Sequence, residues 1–176
     1  MNAGKQFETD WRKSIPDDVY CLRLNDPAQA FGDSSTTRFA PHNPCDFIMY
    51  KCPYYFALEL KSTKGTGLTF WREDFSKGTF MIKKWQIHGL LEASRFKGVV
   101  AGLLINFRNV NRTYFCEINS FNEYVKKLDK KSINENDVSA MGGLLLRQQQ
   151  LKVNWRYDVE GFIDVAVGQQ GNSDVG

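Results

Sequence analysis

Residues 45–62 read CDFIMYKCPYYFALELKS, two apolar runs joined by Lys51-Cys52-Pro53. Side chains alternate across a strand, so in the second run Tyr55, Ala57, Glu59 and Lys61 share one face, and Phe56, Leu58 and Leu60 the other. The first run brings Asp46 to the start of a neighbouring strand, and Pro53 near the turn suits a hairpin. In such a hairpin Asp46 approaches Glu59 across the pair. Two carboxylates brought together repel and are costly to desolvate unless a divalent cation such as Mg2+ lies between them. Taken alone, Glu59-x-Lys61 is ordinarily a solvated face with a weak ion pair. It is Asp46, separated from Glu59 by twelve residues, that turns the reading towards a metal site.

The rest of the composition sets bounds. A chain of 176 residues with 42% hydrophobic and 14% aromatic residues is long and apolar enough for one domain with a real core. A net charge of +3 neither establishes nor opposes nucleic-acid binding. No apolar run approaches the roughly 20 residues of a membrane span, and the first residues are polar rather than a signal peptide, so the expected location is the cytoplasm. Cys21, Cys45, Cys52 and Cys116 lack Cys-x-x-Cys spacing and read as reduced packing residues. His42 and His88, the only histidines, lack zinc-ligand spacing, and their scarcity disfavours a Ser-His-Asp or Cys-His nucleophile.

Along the chain, Phe7, Trp11 and Ile15 recur at helical spacing before Pro16, predicting a helix over residues 3–15 that docks on the sheet. On it Glu8 either pairs with Arg12 one turn on or leans towards the metal site. A strand is expected over 18–24. Residues 25–44 (NDPAQAFGDSSTTRFAPHNP) form a polar insertion whose Ser34, Ser35, Thr36, Thr37 and Arg38 are phosphate-contacting types. The loop Ser62-Thr63-Lys64-Gly65-Thr66-Gly67 lacks phosphate-loop spacing. Phe70, Trp71, Arg72, Phe75 and Lys77 interleave rings with cations, a pattern found in cores and also on nucleic-acid surfaces.

A helix is predicted over 82–96, with Gln86 interrupting its apolar stripe. That amide either satisfies backbone groups in the core or reaches a polar site beside the sheet. Residues 98–107 (GVVAGLLINF) read as a central strand covered on both faces, followed by a strand over 113–118 and an amphipathic helix over 120–131. Beyond residue 132 the pattern weakens to a short helix at 138–141, a segment at 144–147 and an edge strand at 153–157. The expected organisation is a single domain over 1–167 and a disordered tail over 168–176.

Taken together, Gly4-Lys5-x-Phe7-Glu8, Pro44-Cys45-Asp46, Leu58-Glu59-Leu60-Lys61 and Gln86-Ile87-His88 resemble, in order, the motifs of the RecU-type Holliday-junction resolvases of the PD-(D/E)XK nuclease superfamily. Two departures stand out: a cysteine separates the proline from the aspartate, and residues 25–44 are short for the stalk that enters the junction. The resemblance implies an α/β restriction-endonuclease-like core with a central mixed sheet flanked by helices. It implies a homodimeric, Mg2+-dependent endonuclease, with Mn2+ as substitute, that resolves four-way DNA junctions. Asp46, Glu59 and the Leu60 carbonyl would hold the metal, with Glu8 joining directly or through water. Lys61 would orient the attacking water, and Gln86 would position Lys61 or the water. Ser35, Thr36, Thr37, Arg38, Lys64, Arg72, Lys83 and Lys84 would contact DNA. The alternatives are a nuclease of the same fold with a restriction or repair target, and a catalytically idle DNA-binding module.

Overall fold

The chain is described by a computed structural model over residues 3–24, 42–75 and 77–173. In order, its elements are α1 (Ala3–Ser14), β1 (Tyr20–Arg23), β2 (Phe47–Lys51), β3 (Tyr54–Thr63) and β4 (Gly67–Thr69), then a 3-10 turn at Glu73–Phe75. There follow α2 (Lys84–Ala93), β5 (Val99–Phe107), β6 (Arg112–Glu117), α3 (Ile118–Lys126), β7 (Ser132–Asn134) and α4 (Glu135–Ala140). The chain continues through β8 (Leu144–Leu145), β9 (Gln148–Gln150), β10 (Trp155–Tyr157) and α5 (Val159–Ser173).

Six strands form one mixed sheet in the order β1-β2-β3-β5-β6-β8, in which only β3 and β5 pair in parallel. The two runs of residues 45–62 are the β2–β3 hairpin, turning through a cis Cys52-Pro53 bond, with Phe47 opposite Leu58 and Tyr50 opposite Tyr55. The parallel crossover from β3 to β5 carries α2, as a crossover connection must be long enough to return the chain to the same end. β5 is buried along nearly its whole length, because both faces of the sheet are covered.

The alternation along β3 sorts its side chains into two cores. Phe56, Leu58 and Leu60 face α1 and α5, packing with Phe7, Trp11, Tyr157 and Phe162. Ala57 faces α2 and α3, packing with Ile87, Leu90, Leu103 and Phe121. The result is the expected mixed sheet flanked by helices.

Several boundaries differ from the sequence expectation. Ile82 does not open α2; it bridges to Phe70 and is fully buried there, so the helix starts two residues later. α3 starts at Ile118 because the Glu117 carboxylate caps it, accepting from the Ser120 N–H at 2.8 Å. The tail departs most: α5 runs to Ser173, so residues 168–173, expected to be disordered, continue a helix, and 174–176 lie outside the described residues. Val159, Phe162, Ile163 and Ala166, one stripe at helical spacing, are buried against the sheet and anchor that helix. Of the cysteines, Cys45 and Cys116 are buried as expected of packing residues, whereas Cys52 is exposed at the hairpin turn. No helix among the described residues is long and apolar enough to cross a membrane.

Candidate active site

β3 delivers Glu59 to the α2 face of the sheet, two residues beyond Ala57, where an apolar side chain would be expected. Glu59 is 2% exposed, and a carboxylate at that depth must be paired to stay charged. Two cationic or amide donors meet its Oε1. The Lys61 ammonium, from the same face one strand step on, donates at 2.7 Å, and the Gln86 side-chain amide donates from α2. Gln86 is itself fixed, since its Oε1 accepts the Lys83 backbone N–H at 2.9 Å. Both alternatives read for this amide hold together: one end satisfies the start of α2, the other reaches the carboxylate.

Asp46 arrives from the other strand of the hairpin. Its backbone extends the β2–β3 register by one step, the Asp46 N–H donating to the Leu58 carbonyl at 3.0 Å. Its own carbonyl accepts the Leu24 N–H at 2.8 Å. The Leu60 N–H donates to Asp46 Oδ2 at 2.8 Å, which fixes the half-buried carboxylate just before the start of β2. A strand residue presents its N–H and C=O to the same neighbour, so the Leu60 carbonyl faces this edge as well. Burial holds the Asp46 carboxyl above the usual aspartate value of 3.8, against the pull of the Leu60 N–H and the Lys61 charge. Cys45 precedes Asp46, and burial together with the charges of Glu59 and Asp46 pushes its thiol up to about 12. A neutral, buried thiol has no nucleophilic role there.

Glu8 approaches from α1 and adds to the upward push on Asp46. Its partner is not Arg12. Arg23, at the end of β1, donates to Glu8 Oε2 through Nε at 2.8 Å and Nη2 at 2.5 Å. Sequence reading missed Arg23, although a lone cation closing an apolar strand beside the Asp46 segment was the available signal. The packing of α2 on the hairpin is close: a Cβ on Gly89 would lie 2.4 Å from the Pro44 Cβ. Pro44 is therefore seated directly on α2, and Asp46 follows it by two residues.

The structure thus brings Asp46, Glu59, Leu60, Lys61 and Gln86 together, with Glu8 alongside through Arg23. The residues expected to contact DNA divide. Lys64 is exposed beyond β3, and Lys83 and Lys84 are exposed at the start of α2. Arg72 is turned inward: its Nη1 donates to the carbonyls of Val125 and Leu128 at the end of α3, and its other nitrogens pair with Asp74. That places its guanidinium as a cap on α3. Ser35, Thr36, Thr37 and Arg38, with most of the 25–44 insertion, lie outside the described residues.

Among the described residues no three His, Cys, Asp or Glu side chains converge as a metal cage. Two carboxylates with an adjacent carbonyl still fit one hard cation, because Mg2+ is commonly held by one or two carboxylates and completed by water and substrate phosphate. The donor set is all oxygen, as that ion requires.

No protein-family model matches the chain. Among solved structures it is similar to Hjc, a Holliday junction resolvase from the archaeal hyperthermophile Archaeoglobus fulgidus, with TM-score 0.46 and 19% identity over 80% of this chain and 94% of that one. It is 30% identical over 169 residues to the SPbeta prophage-derived uncharacterized protein YotM of Bacillus subtilis, covering 89% of this chain and 82% of that protein. By that identity and span, the chain belongs to the family of the prophage-derived protein YotM.

Proposed function

We propose that the chain is a Mg2+-dependent DNA endonuclease that resolves four-way junctions by paired symmetric nicks. The observation that carries the reading is Glu59, 2% exposed, bonded by Lys61 and Gln86, beside an Asp46 whose carboxylate the Leu60 amide fixes. A buried structural acid needs donors, but it gains nothing from a second, repelling carboxylate on the neighbouring strand. The order Asp46, Glu59-x-Lys61 and Gln86 resembles the nuclease motif, and the hydrogen bonds linking Lys61 and Gln86 to Glu59, and Leu60 to Asp46, support the reading.

In this reading Asp46, Glu59 and the Leu60 carbonyl would hold Mg2+ or Mn2+, with Glu8 joining directly or through water. The chemistry such an ion would supply when bound is a lowered water pKa and compensation of charge on the phosphate. Lys61 orients the attacking water and lays positive charge beside the scissile phosphate. Gln86 keeps the Glu59 carboxylate in one orientation; a hydrogen bond to a charged group is worth roughly 1.5–3 kcal/mol. Glu8 and Arg23 together keep the far side of the Asp46 carboxylate polar. Paired nicks on opposing strands call for two sites related by a two-fold axis, hence a homodimer acting on branched DNA in the cytoplasm.

The test is a nicking assay on a synthetic four-way junction and on linear duplex of the same sequences, with Mg2+. Symmetric nicks confined to the junction support resolution. Equal cleavage of the duplex leaves the nuclease and removes junction specificity. No cleavage of either substrate overturns the reading in favour of a DNA-binding module.

A further inference from the structure

The start of α2 carries a second arrangement that the hydrolytic residues do not use. Trp85, next to Gln86 in sequence, is 37% exposed, whereas Trp11 in the core is fully buried. The His42 ring stacks on the Trp85 indole, centroids 4.2 Å apart and planes within 13°. Lys83 Nζ lies 4.7 Å from the centroid of the same indole. Beside it, Lys84 Nζ lies 4.8 Å from the Trp71 ring, whose edge meets the His88 ring at a centroid distance of 5.4 Å. His42, Lys83, Lys84 and His88 are all exposed. Neither lysine is in an ion pair among the described residues.

We propose that this cluster is a stacking platform for unpaired nucleobases of the bound DNA strand, next to the cleavage site. Its His42–Trp85 pair is parallel and solvent-facing, which suits a π-face of any base, and base-on-aromatic stacking is insensitive to sequence. Its rim is cationic, so a strand laid on it meets phosphate-binding ammoniums: Lys83 and Lys84 each leave an indole face at little cost and take up a phosphate. A base extends the His42–Trp85 stack by adding a further plane. A hydrophobic protein partner would instead meet two ammoniums at the centre of the contact, where charge is depleted in protein interfaces.

The position ties the platform to the chemistry. Gln86 bonds Glu59 from the residue after Trp85, and Pro44, seated on Gly89, holds the segment from His42 to Asp46 against the same helix. A stacked base therefore lies one residue from Gln86 along α2 and four residues from Asp46 along the preceding segment. The substrate of this enzyme then carries unpaired nucleotides beside the scissile phosphate, as at an opened branch point, and not an unbroken duplex. The inference rests on the hydrolytic reading above only for which strand is cut.

Binding without divalent metal tests it directly. The probes are labelled oligothymidylate, which is unpaired, and a blunt duplex of equal length. Trp85→Ala should weaken oligothymidylate binding about tenfold or more, with duplex affinity changed by less than about threefold; Trp85→Phe should restore most of the loss. His42→Ala should weaken oligothymidylate binding less than Trp85→Ala, and circular dichroism matching the wild type shows both variants folded. Equal loss for the two probes, or no oligothymidylate binding by the wild type, overturns the platform. Asp46→Asn separates the two proposals, since it should keep full oligothymidylate binding. If the wild type binds through Trp85 and cuts nothing, the platform stands and the hydrolase falls; if it cuts and Trp85→Ala binds unchanged, the reverse holds.

Discussion

Glu59 and Asp10 are the two most deeply buried acids described, 2% and 1% exposed, yet they sit in opposite kinds of place. Asp10, on α1, accepts the Gln6 amide at 2.8 Å and the Trp155 backbone N–H at 3.2 Å, so it ties a helix to β10 with neutral donors from the fold itself. Glu59, on the face towards α2, is met by a lysine and by an amide borrowed from a helix start, with a second acid at the neighbouring strand end. Burial is equal; partner chemistry is not. An acid satisfied by backbone and amide groups is a joint, while an acid held by a cation beside another acid is a place where a different cation can take over.

The two acids should therefore fail differently. Glu59→Gln or Asp46→Asn should lower DNA cleavage by at least about a thousandfold, equivalent to ~4 kcal/mol of barrier, with DNA binding retained in a gel-shift assay. Removing acids does not weaken attraction to phosphate, so a parallel loss of binding would erase the contrast. Lys61→Met should lower the cleavage rate by about 10²–10⁴-fold. It should also destabilise the fold by roughly 3–5 kcal/mol in urea unfolding, because it leaves a buried carboxylate without its cation.

Asp10→Ala should show the opposite pattern, a loss of about 1–3 kcal/mol in urea unfolding with cleavage per folded molecule unchanged. Cleavage lost in proportion to that of Glu59→Gln would make Asp10 part of the site after all.

The smallest effect belongs to a third buried acid. Asp137, at the start of α4, has its pKa lowered: burial works against this, but the Lys130 ammonium, the Asn134 N–H and the Tyr124 hydroxyl outweigh it. A depressed acid contributes stability above its unfolded value and loses it as pH falls through the folded one. The melting temperature should thus drop below about pH 3.8 in the wild type. In Asp137→Asn this part of the acid limb should be flatter; identical limbs would remove Asp137 from the account.

What was legible in the sequence followed from periodicity. The two faces of β3 could be read because a strand buried on both sides repeats every second residue, and a charge on that pattern stands out. Phe7 and Trp11 marked α1 by helical spacing in the same way. α5 escaped because Gly161, Gly168 and a run of polar residues dilute a stripe that tertiary burial of Phe162 and Ile163 nevertheless stabilises. The start of α2 was misplaced because Ile82 satisfies helical spacing as well as the bridge to Phe70. Within the site, the proximity of Asp46 and Glu59 came from local register. The choice of Arg23 over Arg12 by Glu8, the inward turn of Arg72, and the stacking of His42 on Trp85 each join segments whose distance in sequence carries no local signal.

The most direct measurement is single-turnover cleavage of a labelled four-way junction by wild type and Glu59→Gln, at enzyme concentrations that bind all the DNA, with and without Mg2+. The account predicts rapid nicking only by the wild type and only with the metal, with both proteins equally bound. Cleavage by Glu59→Gln at the wild-type rate, or wild-type cleavage indifferent to Mg2+, would contradict the assignment of the buried carboxylate as the centre of the chemistry.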